Sequence, residues 1–291
     1  MRAAFRKLIG SDNLMALYVP KNVYSITQNQ RSTISTRYKT VTKAINTSLW
    51  NSVSESAHSF YVGSYGRGTA IDTSDIDILI EVPSSFYVQN SYTTYNPQSR
   101  LLQVVKNAIL NSYPRSDVHA DGQVVVIDFT DGIKFEVLPA IPQMNCYGRT
   151  SYEYPDSHKD GRWMSTNPKA EQDAIEEKNR TSNGLLLDTC KHMRYIRDNY
   201  FSSYQLSGIV IDSFVYAAME SWRWLHSGES GSSAPGDYES VLLRYYNYAT
   251  CYGQLSSFVL NAPGSGNTVS TQSSALCLGK VLKKWRNNEY R

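Results

Sequence analysis

Between Asp75 and Val82 the chain reads Asp-Ile-Asp-Ile-Leu-Ile-Glu-Val, and no other segment constrains the fold as tightly. Ile76, Ile78, Ile80 and Val82 recur at period two, the spacing of one strand face. Asp75, Asp77, Leu79 and Glu81 fall on the other. A strand this apolar belongs well inside a sheet, where spare charge is costly. The two neighbouring carboxylates repel each other, and neither has an obvious basic neighbour in sequence. Such pairs usually need a divalent cation between them. The competing reading is the solvated face of an edge strand, and the Ile-Leu-Ile run weighs against it.

The rest of the chain supplies partners for that strand. Val23 to Leu49 contains no Pro or Gly. Ile34, Tyr38, Val41 and Ile45 recur there at helical spacing, which predicts a long amphipathic helix. Ser59 to Val62 predicts a short strand, and Asp72-Thr73-Ser74 a turn. After Pro83, residues 84–98 read as a polar loop. Leu101, Val104, Val105, Ala108 and Ile109 predict a second amphipathic helix, stopped by Pro114. Val124–Phe129 and Ile133–Leu138 flank Thr130-Asp131-Gly132, a strong hairpin signal. Pro139 and Pro142 are expected to close the second strand, and residues 143–168 to form a loop.

Beyond residue 168 the pattern turns helical: Lys169–Asn179, Asn183–Tyr200, Ile209–His226, Tyr238–Leu260 and Ser273–Asn288. Ser/Gly-rich loops are expected at Ser227–Gly236 and Ala262–Asn267. The fold class is α+β: a mixed-sheet core over residues 1–160, then a helical lobe over 161–291.

Composition permits this without deciding function. A chain of 291 residues suits two modest domains, and 41% hydrophobic residues can build their cores. The formal net charge of +3 is unlike that of a DNA-coating protein, yet permits a local basic cleft. The four cysteines, Cys146, Cys190, Cys251 and Cys277, form no Cys-x-x-Cys pair and read as reduced thiols. No apolar run approaches the roughly 20 residues that span a bilayer. The opening stretch, Met1 to Leu14, has neither an adequate apolar segment nor a small-residue cleavage site. The expectation is therefore a cytoplasmic protein with no membrane attachment.

Two further features join the paired acids. Gly63-Ser64 follows a strand and precedes a short helix. A glycine there lets backbone approach a ligand closely, and the hydroxyl and exposed N–H groups suit a phosphate. Alone, a Gly-Ser turn is usually just a turn. Glu136 alternates with Ile133, Phe135 and Val137, which face inward, and a third carboxylate on an adjacent strand would complete a site for two magnesium ions. Asp128 is the competing third acid, ranked second. Two such ions about 3.5–4 Å apart activate a hydroxyl and stabilise a leaving pyrophosphate, which is most of what nucleotidyl transfer requires. In the helical half, Lys191 and Arg194 are three residues apart and share a helix face, with Leu186, Cys190 and Met193 on the apolar side. Read by themselves, those two cations are better taken as a solvated basic face.

Taken together, Gly63-Ser64-Tyr65-Gly66-Arg67-Gly68-Thr69-Ala70-Ile71, Ser74-Asp75-Ile76-Asp77 and Glu136-Val137-Leu138-Pro139-Ala140 resemble one family. It is the cGAS/DncV-like nucleotidyltransferases of bacteria, the SMODS group of the polymerase-β superfamily, whose cyclic oligonucleotides serve anti-phage (CBASS) signalling. Ser151-Tyr152-Glu153-Tyr154-Pro155 and Thr166-Asn167-Pro168-Lys169-Ala170 are also similar to it. The resemblance implies a polymerase-β-like core facing an OAS-like helical lobe, with the long N-terminal helix bracing both. It implies that Asp75 and Asp77 bind both metals and Glu136 the catalytic one, with two Mg2+ as cofactor and Mn2+ able to substitute. Gly63 and Ser64 would hold the donor triphosphate. Lys191, Arg194 and Ser207 would contact the phosphate tail, and Asn167 a base. The third acid is usually Asp in this group, so Glu136 is a departure, one methylene longer.

The expected activity is therefore a cyclic di- or trinucleotide synthase using ATP, UTP and/or GTP, with no obligatory nucleic acid and with any regulatory protein partner unidentified. The alternatives are transfer to RNA, or to a small-molecule or protein acceptor, and a degenerate relative that only binds nucleotide. Retention of all three carboxylates ranks the last lowest.

Overall fold

Two packing units divide the chain: Ile26–Lys169, and Ala170–Arg291 together with Met1–Ser25. The computed structural model describes residues 18–85, 96–144, 150–158, 161–234 and 236–287. The opening stretch to Leu14, most of the loop after Pro83, and Cys146 lie outside these residues.

The first unit is built on one mixed sheet of seven strands: β1 Ser59–Tyr61, β2 Ile76–Glu81, β3 Asp117–Asp121, β4 Val124–Asp128, β5 Lys134–Met144, β6 Thr150–Asp156 and β7 Arg162–Thr166. The order is β1-β2-β5-β4-β3, and β6 and β7 continue from the far end of β5. β2 and β5 pair in parallel, the other neighbours antiparallel. Among the described residues, helices α1 Gln28–Leu49, the single turn α2 Gly63–Gly66, and α3 Pro97–Leu110 also belong to this unit.

Local chemistry explains the helix starts. Thr27 caps α1 in a capping box: the Gln30 N–H donates to the Thr27 hydroxyl, and the Gln30 side chain accepts from the Thr27 N–H at 3.0 Å. The helix thus begins five residues later than the Pro-free run alone suggests. Asn96 caps α3, with Pro97 in its first turn.

Ile76, Ile78 and Ile80 share a core with Ile34, Val41 and Ile45 of α1, Leu101 and Val105 of α3, and Phe135 and Val137 of β5. Each such side chain, fully buried, contributes about 1.5–3 kcal/mol. Leu79, on the opposite face of β2, is buried with Val62, Ala140 and Tyr152. Hydrophobic contacts therefore hold β2 on both faces.

β5 runs through Pro139 and Pro142 to Met144, where an earlier end was expected. A proline lacks only the N–H, so it is tolerated where one side of a strand has no ladder bond. Pairing with β4 ends at Val137, and pairing with β6 begins at Ile141. Residues 143–168, expected as loop, contain β6 and β7. Their composition is polar, and pairing, not a hydrophobic period, makes them strands. β7 also corrects the expected boundary at 160/161. Arg162–Thr166 belong to the sheet, and the division falls in the first turn of the helix that follows.

The second unit holds α4 Pro168–Thr181, α5 Leu185–Tyr200, α6 Gly208–Ala218, α7 Asp237–Ala249 and α8 Ala275–Arg286. Its core gathers Leu186, Cys190, Met193, Phe214, Trp222, Tyr238 and Trp285. Tyr18, Asn22 and Tyr24 join it: the Tyr18 N–H donates to Glu239, the Asn22 N–H to Asp188 at 3.0 Å, and the Tyr24 hydroxyl meets His192 Nδ1 at 3.0 Å. The N-terminal segment, expected with the core domain, therefore divides among the described residues: 18–25 pack here and α1 with the sheet.

The expected helix to Leu260 stops at Ala249, because Cys251, Tyr252 and Gly253 take positive φ. Beyond them a small hairpin forms, β8 Val259–Asn261 against β9 Thr268–Ser270. Cys190 and Cys277 are buried and Cys251 exposed, all three as free thiols. No helix among the described residues is long and apolar enough to cross a membrane.

Candidate active site

The parallel pairing of β2 with β5 sets Asp77 directly beside Glu136. Directly paired residues point to the same face of a sheet, so the two carboxylates lie on one surface. Asp75 precedes Asp77 by one pleat on that surface. Asp128, the competing third acid, pairs with Lys134 and not with either of the paired acids. Register thus selects Glu136 as the carboxylate next to Asp77.

The electrostatics bear the mark of crowded negative charge. The Asp77 carboxyl is pushed up to about 7, first by burial, then by the charge of Glu136. Asp75 adds to the rise, while Arg67 and Lys134 oppose it. Asp75 is raised as well, mainly by burial, with Glu136 and Asp128 adding and Lys134 opposing. Burial and like charge together disfavour ionisation, and bound cations reverse both effects.

Lys134 is the neighbour that sequence reasoning did not find. It lies two residues before Glu136, so period two places it on the same face. Its Nζ is 2.6 Å from Glu136 Oε1 and 3.6 Å from Asp75 Oδ2. The signal was present in Lys134-Phe135-Glu136, but the pairing with Asp75 crosses strands and is invisible from Asp75's own segment.

The Gly63-Ser64 turn is built against these acids. The Val62 N–H donates to the Asp77 carbonyl at 2.9 Å, and the turn closes as the N–H groups of Thr69 and Ala70 donate to the Ser64 carbonyl. Gly63 has φ +57°, and a Cβ placed there would overlap the Asp77 carboxylate. Both the conformation and the close approach require glycine. On the far side of this segment, the Ser74 hydroxyl accepts from the Ile71 N–H at 3.1 Å and shapes the entry to Asp75.

A second group has metal-ligand spacing. Asp117, His119 and Asp128 bring one ligand atom each to within 4.8 Å of one another, all three exposed. They are the one set of three so spaced among the described residues. Asp75, Asp77 and Glu136 do not meet that spacing, and the Lys134 ammonium stands between two of them.

In the helical unit the expected contacts diverge. Lys191 is partly exposed on α5. Ser207 is exposed just before α6, its N–H donating to the Ser274 hydroxyl at 3.1 Å. Arg194 corrects the expectation of a phosphate contact. It is 1% exposed, with Nη1 2.7 Å from Asp212 Oδ1 and Nη2 3.0 Å from Oδ2. Nη2 also donates to the Gly208 carbonyl. Arg194 extends the Leu186–Cys190 row at helical spacing, and the buried Asp212 makes that burial tolerable. Asn167 lies partly buried between β7 and α4 in the sheet unit.

The donors fit divalent ions of the magnesium class. All three are carboxylates, and burial together with neighbouring negative charge raises Asp75 and Asp77, which a bound cation would offset.

A mixed sheet with carboxylates on adjacent parallel strands, backed by a glycine-serine turn, defines a nucleotidyltransferase type of core. The chain belongs to the SMODS family, the Second Messenger Oligonucleotide or Dinucleotide Synthetase domain, whose model matches residues 20–179. A curated relative, a probable cyclic nucleotide synthase of Bacillus cereus (strain VD146), is 26% identical over 51% of this chain; the chain spans 47% of that relative's length.

Solved structures share the fold at low identity. The Elizabethkingia meningoseptica CdnE cyclic dinucleotide synthase, solved with GTP and Apcpp, is 15% identical with a TM-score of 0.60. The match covers 92% of this chain and all of that one. The Bradyrhizobium diazoefficiens CD-NTase CdnG, solved with GTP, is 14% identical with a TM-score of 0.63, over 91% of this chain and 86% of its own.

Proposed function

We propose that this chain joins nucleoside triphosphates into a cyclic di- or trinucleotide. The observation that carries the reading is the register of Asp77 beside Glu136, with Asp75 one pleat away and Gly63 pressed against Asp77. Family membership supports it.

In this reading Gly63 and Ser64 seat the donor triphosphate, and Asp75, Asp77 and Glu136 hold two divalent ions, Mg2+ with Mn2+ as substitute. Ions held there would lower the pKa of an attacking hydroxyl and neutralise charge on a leaving pyrophosphate. A 2′- or 3′-hydroxyl oxygen of the acceptor attacks the donor α-phosphorus. The bond to the β-phosphate oxygen breaks, pyrophosphate leaves, and the hydroxyl proton passes to solvent. The linear product then rebinds with its ends exchanged, and a second transfer closes the ring. Donors are drawn from ATP, UTP and GTP. Asn167 contacts a base, and Lys191 and Ser207 the phosphate tail. Arg194, committed to Asp212, ties α5 to α6. Anti-phage signalling under a regulatory partner belongs to the same reading and rests on the family.

Transfer to RNA has one observation in its favour, the basic α8 with Lys280, Lys283, Lys284 and Arg286. Lys280 and Lys284 lie over the chain's own Tyr204 and Tyr200 rings, at 4.8 and 4.2 Å. Two of the four cations therefore already have a partner.

Pyrophosphate release from mixed nucleoside triphosphates tests the reading. It should require Mg2+ or Mn2+, proceed without added RNA, and fall more than about a hundredfold in Asp75→Ala/Asp77→Ala, since even outer-shell changes at metal sites cost 10–100-fold. Release that demands RNA would favour the RNA acceptor. None under any condition, with nucleotide binding retained, would favour a binding protein.

A further inference from the structure

The acid face holds a cation of its own. Register continues across four strands in one row: Lys134 of β5 has Asp128 of β4 opposite it, and Asp128 has Asp117 of β3. On the other side, one residue before the Ile76–Phe135 pair, Asp75 lies alongside Lys134, and the 3.6 Å contact joins them. In the next row Asp77 neighbours Glu136. The Lys134 ammonium therefore has a carboxylate on each side in its own row and a third, Glu136 at 2.6 Å, one pleat along its own strand. Its side chain is 34% exposed, so it can leave this position without unpacking the core.

We infer that Lys134 is a built-in counter-cation of the acidic site, which competes with a divalent ion for Glu136 and Asp75 and yields by turning towards Asp128. This rests on the metal-binding role given to those acids above. An ammonium hydrogen-bonded to a carboxylate oxygen takes up a lone pair and the charge that a metal would use. The metal must break that bond to reach both acids. Asp128 sets the balance, because it offers the displaced ammonium a second carboxylate across the strand. The consequence is a site that discriminates against a lone divalent ion and fills more readily once a triphosphate adds its own negative charge.

The test is direct titration of Mn2+ on the full chain without nucleotide, followed by electron paramagnetic resonance. It is run in an Asp117→Asn/His119→Ala background so that the exposed cluster on β3 and β4 adds no binding. Lys134→Met keeps the aliphatic stem and removes the charge. It should tighten Mn2+ binding about tenfold, the scale of one charge-assisted hydrogen bond in a half-exposed site. Asp128→Asn should weaken it, because the ammonium loses its alternative partner. Asp75→Ala/Asp77→Ala should abolish it.

Melting temperature is the second readout. Without metal, Lys134→Met should melt below the parent, and saturating Mn2+ should raise it more than the parent. Unchanged or weaker Mn2+ binding in Lys134→Met, or tighter binding in Asp128→Asn, overturns the inference. Failure here with nucleotide turnover intact would remove the role of Lys134 alone. Tightening in Lys134→Met without turnover in the parent would remove the proposed reaction and leave the counter-cation.

Discussion

Gly63 and Arg194 show how a single side chain, or its absence, commits its surroundings. At Gly63 the backbone lies in the left-handed region and a Cβ would overlap the Asp77 carboxylate. Gly63→Ala should therefore lower stability by more than about 1 kcal/mol, the scale of left-handed strain in other residues. It should also displace Asp77, and product formation should fall further than stability does; a calorimetric scan beside a turnover assay reads both. Arg194 and Asp212 are each almost wholly buried and meet through two hydrogen bonds. Arg194→Ala would leave a carboxylate buried without its partner, a loss of about 3–5 kcal/mol by denaturant titration. Replacing both members, as Arg194→Met/Asp212→Leu, should cost much less. A nucleotide-contacting arginine would instead show normal stability and weakened nucleotide binding.

Among the elements, α5 carries the clearest pH response. His192 is buried, stacks on Tyr24 and meets its hydroxyl, and burial holds its pKa down at about 3. The unfolded chain takes up a proton near pH 6.5 that folded His192 refuses. Its contribution to stability is therefore full above pH 6.5 and is lost as the pH falls towards 3. Glu239 works the other way: burial lifts it to about 6, so its contribution fades as pH rises from about 4.5 to 6. Comparison with His192→Phe isolates the first effect. Below pH 6.5 the variant should gain on the parent by up to about 1.4 kcal/mol per pH unit, read from melting curves between pH 7 and 5. A parallel pair of curves would contradict this.

Sequence legibility varied by element for physical reasons. β2 and the β4–β5 hairpin were readable because alternation and Asp131-Gly132 are local signals. β6 and β7 were not, since neighbouring strands impose their form on polar segments with no period of their own. The helix ends at Gln28 and Ala249 depend on a cap and on positive-φ residues, which periodicity does not register. At the site, the acids and the glycine turn were legible as types at a spacing. Lys134 beside Asp75 and Arg194 against Asp212 were not, because each pairing joins segments distant in sequence.

At the scale of the whole molecule, the family and the α+β fold agree with what the motifs imply. The most direct measurement is the fate of label from each radiolabelled nucleoside triphosphate after incubation with the full chain and Mg2+ or Mn2+. Products are treated with phosphatase and resolved beside Asp75→Ala/Asp77→Ala. A phosphatase-resistant product is expected, absent from the double variant, whose label pattern names the bases in the ring. Only phosphatase-sensitive or polymeric products, or a resistant product that survives in the double variant, would contradict it.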